Sequence, residues 1–218
     1  LRSAAAVYRN LDRKKYDCVL VGIAKDGRWY LQDEPAEKGS DRMPLTADED
    51  RELVIIPGKG IYSKSGSVPV ALALPILHGS FGEDGTLQGA LEIAGVPYAA
   101  SGVLGSALGM DKAVVKKIWA YHGLSVVPYA IIRKEDFGND APGFDRLLND
   151  FLSKHPFPVF IKPNCTGSSL GVRKAYSREE CLDGVREAFR YDRTVLLERA
   201  VAGKEIECAV LENNPPEV

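Results

Sequence analysis

Seventeen residues, Ile76 to Glu92 (ILHGSFGEDGTLQGALE), constrain this chain more than any other stretch, because they join three structural demands. The apolar run Pro69 to Leu77 (PVALALPIL) has the length and bounds of a buried strand. It stops at His78 and Gly79, and a glycine-bearing loop follows whose Asp84 can cap the helix TLQGALEIAG. Strand, loop and helix N-terminus in that order form the place where open α/β sheets bind ligands. Free backbone N–H groups and the helix dipole point out of the sheet there.

A chain of 218 residues is expected to hold more than one domain. Its 28 basic and 30 acidic side chains leave a net charge of −2 with no dense Lys/Arg block, so electrostatics give no reason to expect a nucleic-acid partner. Any phosphate bound here belongs to a small molecule. Cys18, Cys165, Cys181 and Cys208 show no C-x-x-C spacing, which favours reduced thiols over disulfides or zinc. No apolar run approaches the roughly 18 residues of a membrane span, and no signal sequence opens the chain. The expectation is a soluble, cytoplasmic protein with no membrane partner.

The first part reads as a helix (SAAAVYRNL), the strands DCVLVGI and RWYLQ, a polar surface loop over 34–50, and the strand ELVIIP. After the 76–92 block, apolar Ala107, Met110, Val114, Ile118 and Tyr121 predict one helix from Ser106 to His122 with a buried stripe, ended by Gly123. A second α+β unit follows: strand VVPYAII, helix FDRLLNDFLSKH, strand FPVFIKP, a Gly/Ser loop, strand GVRKAY, a helix over 178–191, and strands TVLLERAV and EIECAVL. The 178–191 helix opens on a capping box, Ser177 to Glu180, and carries the stripe Cys181, Leu182, Val185, Ala188 and Phe189.

The loop Asn164 to Gly171 (NCTGSSLG) joins two strands, and Lys162 ends the first. Glycines admit an anion close to the backbone, serines and N–H groups supply donors, and an ammonium supplies charge. It is no Walker A loop, which would need G-x-x-x-x-GK[ST] and would run into a helix. Taken alone, the loop reads equally as a flexible hairpin holding two serines. Taken alone, too, Lys112 is a solvated helix residue, Glu198 and Glu205 flank a surface strand, His78 is a structural hydrogen-bonder, and Glu83 and Asp84 are loop and cap residues.

The joint order of four blocks weighs against those readings. His78 to Gly89 resembles the HG-x-x-GEDG-x-x-QG signature of the D-alanine–D-alanine ligases. Met110, Asp111 and Lys112 resemble that family's MDK, FIKP (160–163) its V-K-P strand, and LLERAVAGKEIECAVL (196–211) its adenine hinge. The resemblance implies an α/β chain: a Rossmann-like preATP-grasp domain over 1–103, then an α+β ATP-grasp domain over 104–218 that is incomplete at its C-terminus. It implies that Lys112 and Lys162 reach nucleotide phosphate and that Phe160 and Ile161 flank adenine. Glu198 would accept from the adenine amino group, the backbone of Arg199, Ala200 and Val201 would meet the ring, and Glu205 would hold the ribose. Ser168 would orient the two D-alanines, Ser169 would serve phosphate, and His78 would lie near the first D-alanine.

The reaction so implied is ligation of two D-alanines for peptidoglycan precursor synthesis. A carboxylate attacks the γ-phosphate of ATP to give an acyl phosphate, and an amine then displaces phosphate, with lysines and Mg²⁺ or Mn²⁺ neutralising the anions. The resemblance also implies a homodimer, and metal ligands beyond Val218. On the same comparison the chain lacks the family's first strand and loop and roughly its last hundred residues, so it is read as a fragment whose 218 residues alone are inactive. D-serine or D-lactate as acceptor stays open, as does a noncatalytic nucleotide-binding module. An NAD-dependent oxidoreductase is disfavoured because no G-x-G-x-x-G follows the first strand.

Overall fold

The computed structural model describes residues 2–34, 43–137 and 142–210, and the chain divides into two compact units, Leu1–Val115 and Lys116–Val218. Part of the expected 34–50 loop and Leu211 of the hinge segment lie outside the described residues.

The first unit opens with helix α1 (Arg2–Asn10). Five strands follow: β1 (Leu20–Ile23), β2 (Trp29–Gln32), β3 (Glu52–Ile56), β4 (Gly60–Ser63) and β5 (Gly66–Val68). They pair in chain order as an antiparallel meander. Alternation turns Leu53, Ile61 and their cross-strand neighbours to one face. There they pack against Leu87, Leu91 and Ala94 of α2 (Thr86–Ala94) and against Val96. Helix α2 ends on Gly95 at φ 75°, with Val96 N–H donating to Leu91 O at 2.9 Å, the left-handed close that glycine permits.

Two expectations fail here. The run Pro69–Leu77 is not a buried strand: its one parallel bridge joins Ala73 to Tyr98, and Leu72 and Leu74 are 57% and 49% exposed. A strand exists only through its partners, and one bridge among the described residues leaves this run merely extended. The single helix expected over 106–122 is two, α3 (Val103–Met110) and α4 (Lys112–Tyr121). Asp111 breaks it, since its backbone is extended (φ −82°, ψ 96°) and its Oδ1 accepts from Val114 N–H at 2.8 Å. An aspartate that caps a new helix outcompetes continuation of the old one. The expected stripe is broken with it: Ser106 and Ala113 are buried, whereas Ala107 and Val114 are exposed and Tyr121 is 87% exposed. Gly123 does end α4 as expected, at φ 76°.

The second unit contains β6 (Tyr129–Arg133), α5 (Pro142–Lys154), β7 (Val159–Pro163), β8 (Arg173–Ala175), α6 (Arg178–Ala188) and β9 (Thr194–Arg199). The strands form an antiparallel sheet in the order β6-β9-β7-β8. Helices α5 and α6 bury one face of it, through Leu148 and Phe151, and through Cys181, Val185 and Ala188, against Ile132, Val159, Ile161, Val195 and Leu197. The capping expectation at α6 holds in part. Ser177 Oγ accepts from Glu180 N–H at 3.2 Å, but the Glu180 carboxylate takes the N–H of Tyr176 rather than that of Ser177, at 2.8 Å. Burial pushes the Cys181 thiol up to about 11, so it behaves as an inert core residue. None of the four cysteines is joined in a disulfide. The expected strand EIECAVL does not form: residues 205–210 are exposed and unpaired in any ladder.

Candidate functional site

Directly opposed residues of paired strands share a face, and the register of the second sheet therefore sorts its side chains. Phe160 lies opposite Glu198 on one side and Lys174 on the other, Lys162 lies opposite Leu196, and Tyr129 opposite Glu198. These six residues form the face turned away from α5 and α6. Ile161, one position along, faces the helices and is fully buried in their core, so its side chain cannot flank a base. Phe160 and Tyr129 lie on the open face instead.

Glu198 stands at the centre of this face with its side chain 5% exposed. Each carboxylate oxygen holds one ammonium. Lys116 Nζ from α4 lies 3.0 Å from Oε1, and Lys162 Nζ from β7 lies 2.6 Å from Oε2. Burial opposes the charge of Glu198, but the two lysines outweigh it and hold the carboxyl below its ordinary range. Aromatic rings flank the cations: Lys116 lies 5.3 Å from the Tyr129 centroid, and Lys162 and Lys174 lie 5.5 and 5.6 Å from that of Phe160. One carboxylate among three ammonium groups leaves this face electropositive. Apolar Leu196, Phe160 and Tyr129 are set between the charges.

The Gly/Ser loop leaves the edge of that face. Asp192 fastens its base, accepting from Cys165 N–H at 2.6 Å and Thr194 N–H at 2.9 Å. Within it, Leu170 N–H donates to Gly167 O and Val172 N–H to Ser169 O. Ser168 and Ser169 both adopt left-handed backbone, at φ 48° and 57°, and are exposed. Two consecutive left-handed residues are uncommon outside glycine and mark a shaped turn rather than a slack hairpin. Gly171 is obligatory on a different ground: a Cβ there would stand 2.7 Å from Tyr191 Cδ2 and 2.8 Å from Pro163 Cγ.

Beyond β9 the expected hinge residues differ in their surroundings. The N–H groups of Arg199 and Ala200 donate to the carbonyls of Pro128 and Pro158, so these amides are committed to the fold. Val201 and Glu205 lie on an exposed segment without ladder pairing.

In the first unit, His78 is exposed and its Nε2 lies 2.8 Å from Ser3 Oγ. The loop after it is held by its own acids. Glu83 takes Gly79 N–H at 2.5 Å, and Asp84 takes Phe81 N–H at 2.7 Å and Thr86 N–H at 3.0 Å. Burial works against Asp84, and these donors still bring its carboxyl below the usual value. Asp84 precedes the N-cap position, which is Gly85 at φ 91°, where a Cβ would meet Val103 O at 2.7 Å. Gln88, buried in α2, donates to Gly82 O at 3.1 Å and closes the loop from beneath. Lys112 is half-buried at the first position of α4.

Three functional candidates escaped the sequence reading. Lys116 had a signal, since it lies one helical turn beyond Lys112 and so on the same helix face. Lys174 had a weaker one, its place opposite Phe160 in the hairpin. Asp192 had only a local one, its reach to Thr194 N–H two residues on; its other partner, Cys165, is brought to it by the fold.

The family model for the D-ala D-ala ligase N-terminus matches residues 1–101, and the model for the D-ala D-ala ligase C-terminus matches residues 118–218. The chain belongs to the D-alanine–D-alanine ligase family. It is 41% identical to the D-alanine–D-alanine ligase of Streptomyces coelicolor over 96% of its own length and 58% of that protein's. Among solved structures it resembles the D-alanine–D-alanine ligase of Coxiella burnetii (TM-score 0.81, 32% identity, covering 99% of this chain and 63% of that one). It also resembles the VanG D-Ala:D-Ser ligase of Enterococcus faecalis (TM-score 0.75, 30% identity, covering 93% and 58%). The chain spans about three fifths of the length of the curated relatives it matches.

Proposed function

We propose that the protein containing this chain joins two D-alanines at the expense of ATP, and that the open face of the second sheet grips the nucleotide. The observation that carries the reading is the buried Glu198 between Lys116 and Lys162, on a face that also bears Phe160 and Tyr129. A nucleotide needs an apolar slot for its base, an acceptor for the amino group and cations for its phosphates, and this face supplies all three. Ser168 and Ser169 in the adjoining turn serve the phosphate and substrate side, Lys112 adds a cation, and His78 belongs to the first D-alanine.

The step assigned to these residues is the meeting of two anions. A D-alanine carboxylate oxygen bonds to the γ-phosphorus as the bond to ADP breaks, and the second amine then expels phosphate from the acyl phosphate. Ammonium groups held in place lower the repulsion in the first transition state without having to reorganise. Among the described residues no group of three or more His, Cys, Asp or Glu side chains could hold the magnesium that accompanies ATP. No described helix is long and apolar enough to cross a membrane; we take the enzyme to be a cytoplasmic homodimer.

The test uses the protein as encoded in full. Phosphate release from ATP is expected to depend on D-alanine and to match formation of a dipeptide of the corresponding mass. ATP turnover indifferent to D-alanine would overturn the reading. Because a D-Ala:D-Ser ligase is among the structural relatives, D-serine is assayed alongside, and a mixed product in excess of the D-alanine dipeptide would reassign the acceptor.

A further inference from the structure

We propose that Lys116 is a positioning residue: it is the resident counter-ion of Glu198, and by keeping that carboxylate paired it releases Lys162 to an anionic ligand. The inference rests on the nucleotide reading above and adds a division of labour between two lysines that bind one acid. The two contacts are unequal. Lys116 approaches from α4, is 12% exposed and is backed by the Tyr129 ring at 5.3 Å. Lys162 is 29% exposed and stands two residues before the Gly/Ser loop.

The physical argument is one of charge balance. A carboxylate this buried is costly to leave without a partner. If Lys162 were its sole cation, an incoming phosphate would compete with Glu198 for the same ammonium, and binding would carry the cost of stranding the acid. With Lys116 on Oε1, Lys162 can turn from Oε2 to phosphate while Glu198 keeps one direct pair. The groups facing Glu198 are Lys116 from α4, Lys162 from β7 and Tyr129 from β6, and no second acid on these elements faces it to share the load.

The experiment measures binding of MgATP and of adenosine by calorimetry, on the full protein, for wild type, Lys116→Met, Glu198→Gln and the double variant. Lys116→Met is expected to weaken MgATP about tenfold and adenosine less than about threefold, since only the phosphates need Lys162. In the Glu198→Gln background the same substitution is expected to change MgATP binding less than about threefold, because no acid remains to claim Lys162. Lys116→Arg, which keeps the charge, is expected to restore most of the lost affinity. Equal losses for MgATP and adenosine would show a merely structural lysine and overturn the proposal. So would a tenfold loss that persists in the Glu198→Gln background. Should Lys116→Met fail to fold, Lys116→Gln carries the same comparison. A wild-type protein that binds adenosine and MgATP equally well would instead overturn the phosphate role of Lys162, and with it the nucleotide reading.

Discussion

Glu198 and its two lysines decide what single substitutions do. Lys162→Ala removes the ammonium nearest the loop and is expected to cost about 2 to 5 kcal/mol of ATP binding, the usual loss when a buried charge contact is truncated. Unchanged calorimetric affinity would sink the phosphate role. Glu198→Ala acts first on the fold. It strands two ammonium groups, yet Lys162 can turn toward water, so the expected loss is about 3 kcal/mol, the low end for a broken buried pair. The pH dependence follows from direction alone. The folded state holds the Glu198 carboxyl below its ordinary value of 4.5, so its contribution is present above that value and is lost as pH falls through the depressed one. The stability gap between wild type and Glu198→Gln, measured by denaturant, should therefore be full at neutral pH and close under acid conditions. A gap that widens on acidification would contradict the sign.

At the scale of elements, the Gly/Ser loop and its anchor are separable. Ser168 is exposed, so Ser168→Ala should alter stability by no more than about 0.5 kcal/mol, while turnover with D-alanine falls about ten- to a thousandfold if its hydroxyl orients the reacting groups. Near wild-type turnover would return the loop to a hairpin. Asp192→Ala should do the opposite in kind. It removes the acceptor of two backbone N–H groups and is expected to cost about 1 to 3 kcal/mol of stability, read from the denaturation midpoint. The Asp111 break and the 69–77 run show the reverse influence, of setting on element. A capping side chain divided a continuous apolar pattern, and pairing withheld strand status from an apolar run.

For the whole molecule, two core clusters share no side chain, one around Leu91 and Leu53 and the other around Leu148 and Ile161. Leu91→Ala and Leu148→Ala are each expected to cost about 2 to 5 kcal/mol, and amide exchange should show each loss in its own unit. Loss of protection across both units from either change would mean that the units unfold as one. Nucleotide should protect amides of β7, β9 and the 164–171 loop, since ligand stabilises what it contacts by mass action. Protection confined to residues 2–115 would relocate the site.

Local signals carried most of the elements. Periodicity marked α1, α2, α5, α6 and the strands of the second sheet, and composition marked the 78–89 loop and the Gly/Ser turn, because caps, glycine and period-two alternation act within a few residues of chain. Lys162 was marked by its place just before the Gly/Ser loop, whereas Glu198 was singled out only by resemblance to the family's hinge segment. What the chain could not state is which face of a strand meets the helices, and so that Phe160 is available while Ile161 is core. It could not state the antiparallel register that sets Lys162 beside Glu198, nor the approach of Lys116 from a helix some 80 residues earlier in sequence. Those relations are set by packing between distant segments, and a buried charge finds its partner only once the surrounding fold has removed the water that would otherwise serve it.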